Sequence, residues 1–133
     1  MDDLFREMIL ERYKHPANRG EIAGATVSHT EDNPLCGDRI RIDLLVADGV
    51  IRDARFSGQG CAISQASADL LLDEVRGKTL DEARHLDKQF VLDLIGIPLT
   101  PARLKCALLP LKTLKVGAYG IHGWHDDDEG ADT

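Results

Sequence analysis

The chain has 133 residues, 43% of them hydrophobic and 29% charged, with a formal net charge of −7. These values predict one soluble globular domain, large enough for a core of its own without disulfides. No apolar run approaches the ~20 residues of a membrane span. Five acids (Asp126, Asp127, Asp128, Glu129 and Asp132) fall in the last eight residues. Without them the body is nearly neutral, about −2, with no basic stripe, so nucleic acid is not an expected partner.

Residues 2–15 predict an amphipathic helix, with Leu4, Phe5, Met8 and Ile9 at helical spacing and Asp2 and Asp3 at its start. That acidic start differs from a basic secretory leader, so a cytoplasmic protein is expected. Pro16 ends the helix. A weak strand is predicted around 25–29. The clearest strand is 39–46, where Ile40, Ile42, Leu44 and Val46 alternate with Arg39, Arg41 and Asp43. Asp48-Gly49 supplies hairpin turn chemistry. The return strand, 50–57, puts Val50, Ala54 and Phe56 on one face, interrupted by Arg52.

Gly58, Gly60 and a run of small residues then mark a strand-to-helix junction. The helix that follows continues through Leu70, Leu71 and Val75, with Gly77 as its cap. Thr79-Leu80-Asp81-Glu82 has capping-box spacing. A helix over about 87–95 is expected to bury Phe90, Val91, Leu94 and Ile95. Thr100-Pro101 suits the start of a last helix carrying Leu104, Leu108 and Leu111. Pro110 cannot donate to the carbonyl of Cys106, which predicts a helix locally opened at that cysteine. From Gly117 the pattern decays, so the expected organisation is a domain over 1–116 and a flexible acidic tail over 117–133.

Three cysteines, an odd number in a reducing compartment, argue against a disulfide framework. Cys36 lies in Asn33-Pro34-Leu35-Cys36-Gly37-Asp38, Cys61 in Gly58-Gln59-Gly60-Cys61, and Cys106 in Arg103-Leu104-Lys105-Cys106. Because residues 39–57 form a hairpin, the first two motifs belong at the same end of the sheet. Cys61 falls at a helix N-terminus, where dipole and free N–H groups favour thiolate. All three thiols are read at element ends marked by glycine or proline. Three thiolates and the Asp38 carboxylate form a candidate four-ligand metal set, and the oxygen would hold a soft metal or cluster less firmly than sulfur.

Plainer readings stand beside this one. Free cysteines are among the most buried residue types, and an Asp after Gly is commonly a turn former. His15, His29 and His85 lack ligand spacing, His122 and His125 sit in the acidic tail, and Trp124 either anchors that tail or is exposed. A thiol-nucleophile enzyme would need a base held by a third group, and no histidine neighbours a cysteine in the sequence.

Together with Tyr13-Lys14-His15-Pro16-Ala17-Asn18-Arg19-Gly20 and Ala54-Arg55-Phe56-Ser57-Gly58-Gln59-Gly60-Cys61-Ala62-Ile63-Ser64, these motifs resemble the IscU/SufU/NifU N-terminal family of iron–sulfur cluster assembly scaffolds, over about residues 2–116. The resemblance implies an α+β fold, a small antiparallel sheet of about three strands with helices packed on one face. It implies that Cys36, Asp38, Cys61 and Cys106 ligate zinc at rest or a nascent [2Fe–2S] cluster. The three cysteines are also candidate persulfide acceptors, supplied by a cysteine desulfurase (SufS or IscS type), with apo-iron–sulfur proteins as recipients. Arg103 and Lys105 are auxiliary, as attractors of anionic sulfur or of a partner's acidic face. The implied function is a non-enzymatic scaffold; the alternative is a zinc-dependent sulfurtransferase that activates a desulfurase without holding a cluster. Lys105 stands where the IscU branch has a histidine, and Lys-Cys-Ala is similar to SufU. The spacer from Cys61 to Cys106 nevertheless lacks the SufU insertion, and Leu99-Thr100-Pro101-Ala102-Arg103 departs from the Leu-Pro-Pro-Val-Lys chaperone motif of IscU.

Overall fold

The structure is a computed structural model that describes residues 2–34 and 37–119. Cys36 therefore lies outside the described residues, as do His122, Trp124, His125 and the rest of the stretch 120–133. Eight elements follow in order: α1 (Asp2–Lys14), β1 (Val27–Asn33), β2 (Asp38–Ala47), β3 (Val50–Gln59), α2 (Ala62–Val75), α3 (Leu80–Arg84), α4 (Lys88–Ile95) and α5 (Pro101–Tyr119). The strands form one antiparallel sheet in the order β1-β2-β3. Helices α2 and α5 pack on the sheet and on each other, and α1 packs on α2. The α+β expectation is met.

Alternation in β2 does what its sequence dictates. Ile40, Ile42 and Leu44 are fully buried, under α2 and α5. Each such side chain contributes roughly 1.5–3 kcal/mol relative to exposure. The turn after β2 has positive φ at both Asp48 and Gly49, as the hairpin signal requires.

On β3 the expected face is wrong. Ile51, not Val50, joins Ala54 and Phe56 in the core. The register shifts beside Leu45/Val46: Leu45 pairs with Asp53 but Val46 with Ile51, leaving Arg52 as the extra residue of a bulge. Beyond a bulge the period-2 phase reverses, which is why Arg52 looked like an interruption.

Gly77 stands just past the C-cap Arg76 with φ of +87°, where the helix was expected to stop. Its N–H donates to Ile51 O at 2.9 Å, and Ile51 N–H donates to Lys78 O at 2.8 Å. Thus the chain leaving α2 runs along β3. The capping box at Thr79 and Glu82 is present, with both reciprocal bonds made. In α4, Val91 and Ile95 are buried while Phe90 and Leu94 are only partly covered. Helix α5 continues through Pro110 and past Gly117 to Tyr119, so the predicted local opening is not seen and the helix enters the stretch assigned to the tail. The packing of α5 on β1 and β2 keeps its turns in place despite the missing N–H.

Candidate metal and sulfur site

The site forms where two connections meet α5. At one end of the sheet Asn33 pairs with Asp38, and Arg39 with Gln59, so the β1–β2 turn and the exit of β3 lie side by side. Gly37 N–H donates to Asn33 O at 2.9 Å and closes that turn. Asp38 is the first residue of β2, and Cys61 is the N-cap of α2 with extended backbone. Cys106 comes from a third direction, six positions into α5. It is therefore inside a helix, not at the element end that its sequence context suggested.

These residues converge. One carboxylate oxygen of Asp38 and the sulfurs of Cys61 and Cys106 all lie within 4.8 Å of one another. Asp38 is 1% exposed and Cys106 1%, whereas Cys61 is half-buried. The carboxylate is held by the helix entrance itself: Cys61 N–H donates to Asp38 Oδ1 at 2.9 Å, and Cys61 Sγ lies 3.6 Å from Oδ2. An anion at a helix N-terminus is favoured by the dipole.

Gly60 permits this approach. Its φ is +155°, and a Cβ there would run into the Asp38 carboxylate and the Ser64 hydroxyl. Ser64, fully buried one turn into α2, donates to Cys61 O at 3.1 Å and lies 4.0 Å from Cys61 Sγ. Neither residue was singled out for function in the sequence; spacing of i+3 from a capping cysteine was the signal available for Ser64. A second serine, Ser67, donates to Ala107 O at 2.6 Å, fastening α2 to α5 next to Cys106.

Arg103 sits on the open side. Its exposed guanidinium is raised above its ordinary pKa by the charge of Cys61 first, then by hydrogen bonding to that sulfur, with the Cys106 charge adding to both. Lys105 is half-buried beside Cys106 in the chain. His29 and His85 lie elsewhere: His29 contacts Glu31 and His85 contacts Asp81.

The donor chemistry suits a metal that accepts mixed sulfur and oxygen ligands. A Zn–S bond of about 2.3 Å in a tetrahedron puts two sulfurs roughly 3.8 Å apart, so donors within 4.8 Å need close by no more than about 1 Å. Sulfur favours zinc and iron–sulfur clusters over hard cations such as magnesium or calcium. No helix among the described residues is long and apolar enough to cross a membrane.

Several known proteins are similar to this chain. A zinc-dependent sulfurtransferase SufU from Bacillus subtilis is 34% identical, covering 92% of this chain and 95% of its own. An iron–sulfur cluster assembly scaffold protein IscU from Thermotoga maritima is 36% identical, over 84% of this chain and 90% of that relative. Among solved structures, a candidate cluster assembly scaffold for the SUF system from Fervidobacterium islandicum superposes with a TM-score of 0.73 at 30% identity, over 84% of this chain and 94% of that one. The model of the NifU-like N terminal domain matches residues 4–124. The chain belongs to the NifU-like N-terminal domain family.

Proposed function

We propose that this protein is an iron–sulfur cluster assembly scaffold that accepts sulfur from a cysteine desulfurase and transiently holds a [2Fe–2S] cluster for transfer to apoproteins, with zinc as the resting occupant. The observation that carries this is the convergence of Asp38, Cys61 and Cys106 from three separate elements onto one point. Cys36, two residues before Asp38, completes the proposed set.

The chain's own residues have distinct tasks in this reading. Cys61, the more open of the two described sulfurs, attacks the outer sulfur of the desulfurase persulfide. The donor's S–S bond breaks, a new one forms on Cys61, and the donor cysteine leaves as thiolate. Arg103 offsets the negative charge that gathers around the two sulfurs. Asp38 supplies the exchangeable oxygen, kept in place by Cys61 N–H while the metal changes. The metal or cluster, when bound, supplies Lewis acidity and stores sulfide for transfer.

The alternative, a zinc-dependent sulfur acceptor, is favoured by the donor set's equal fit to zinc and by the SufU relative. Anaerobic addition of iron and sulfide separates the two. A scaffold develops visible absorption and passes its cluster to an apo-ferredoxin, whereas the sulfur acceptor retains zinc, stimulates the desulfurase and transfers no cluster.

A further inference from the structure

We propose that Cys106 is the resolving thiol for sulfur carried on Cys61, so that the metal-free protein releases sulfide from its own persulfide without an outside electron donor. The inference deepens the sulfur-accepting part of the proposed function and rests on it.

Four observations bear on it. Neither cysteine is held in a disulfide, and their sulfurs lie within 4.8 Å. Their exposures differ: a donor reaches half-buried Cys61, whereas Cys106, 1% exposed, is shielded from everything except its neighbours. The pair is built to stay together, because the Ser67 hydroxyl on α2 bonds Ala107 O on α5 at 2.6 Å. The Arg103 guanidinium also lies against both sulfurs, where it offsets the charge of an attacking thiolate and of a departing hydrosulfide.

The step balances with the groups present. Cys106 thiolate attacks Sγ of the Cys61 persulfide, and the bond from that Sγ to the outer sulfur breaks. A Cys61–Cys106 disulfide forms, and the outer sulfur leaves with the bonding pair and its own proton as hydrosulfide. The sulfane sulfur gains two electrons and the cysteine pair loses two. A dithiol reductant then returns the pair to thiols. Attack on the outer sulfur would only move the persulfide to Cys106.

The test uses metal-free full-length protein pulsed with glutathione persulfide and desalted, with sulfide counted and cysteine linkages mapped by mass spectrometry. The Cys36→Ser variant leaves Cys61 and Cys106 as the only thiols. Wild type is expected to release about one sulfide per loaded chain and to carry the Cys61–Cys106 disulfide, and Cys36→Ser is the reference against which the loss of Cys106 is read. In Cys36→Ser/Cys106→Ser release falls at least tenfold and the persulfide remains on Cys61; Cys106→Ala in the same background guards against a folding defect of one variant. Equal release without Cys106, a Cys36–Cys61 disulfide in its place, or a stable persulfide on Cys106 would each overturn the proposal. No iron enters the assay, so a failure to release sulfide leaves the scaffold reading standing, and a failure to hold a cluster leaves this result standing.

Discussion

Asp69 and Asp38 are both buried carboxylates in contact with the α1–α2 side of the molecule or the start of α2, at 0% and 1% exposure, yet their surroundings are opposite in kind. Asp69 accepts from Asn18 N–H at 2.8 Å, Asn18 Nδ2 at 3.1 Å and Arg12 Nη1 at 2.8 Å, and Asn18 Nδ2 also donates to Asp69 O. Asp73, one turn on, receives Arg12 and Asn18 as well. Asp38 instead lies against an amide and a sulfur of the same residue, Cys61. A carboxylate surrounded by fixed nitrogen donors ties elements together; one set beside sulfurs is available to a metal. Burial alone does not separate the two roles.

The contrast can be broken first at Asp69. Asp69→Ala takes the acceptor from the buried Asn18 N–H and leaves Arg12 to Asp73 alone, and should lower unfolding free energy by about 2–3 kcal/mol, because buried polar groups lose a partner. Urea denaturation checks this, and zinc affinity of the folded variant should stay within about twofold. A large loss of zinc binding with unchanged stability would erase the distinction drawn here.

Asp38→Ala should do the converse. Cluster transfer to an acceptor slows about tenfold, as expected for changes around a metal ligand, while the urea midpoint moves less than in Asp69→Ala. Faster transfer would show that the oxygen is not the exchangeable ligand.

Acid sharpens the same comparison. Burial pushes Asp73 up, but hydrogen bonds from Asn18 and Arg12, with the Arg12 charge, hold it below the ordinary carboxylate value of 3.8. A depressed folded pKa gives stability that is fully present above 3.8 and is lost as pH falls through the lower, folded value. Asn18→Ala should therefore flatten the fall in urea midpoint below that pH, with less change near neutrality in slope than in height.

The smallest effect is expected at Arg103. Because the guanidinium is exposed, Arg103→Ala should slow sulfur acceptance only a few-fold at low salt, and the difference should vanish at high ionic strength. Stopped-flow transfer from a persulfide donor across a salt series measures it.

Much of this molecule was legible in its sequence where the signal is local. Ile40, Ile42 and Leu44 announced β2 by alternation, Thr79 and Glu82 announced α3, and the hairpin placed Asp38 and Cys61 at one end of the sheet. The bulge at Arg52 was not legible as such, since one extra residue reverses the strand's phase without changing its composition. Gly77 was legible as a helix stop, but not its bond to Ile51, which is remote in the chain. Cys106 was read at an element end because Pro110 suggested an opening that packing on the sheet suppresses. The Arg12–Asn18–Asp69 network was invisible because Asp69 lies 51 residues from Asn18 and 57 from Arg12. The bond from Ser67 to Ala107 spans 40 and left no pattern either.

Gly60 has a consequence for engineering. Since even a methyl group there would strike both the Asp38 carboxylate and the Ser64 hydroxyl, Gly60→Ala acts as a wedge driven between strand and helix at the donors themselves. It offers a way to prise the oxygen from the sulfurs while every chemically reactive side chain is retained, turning a question about ligand identity into one about ligand spacing.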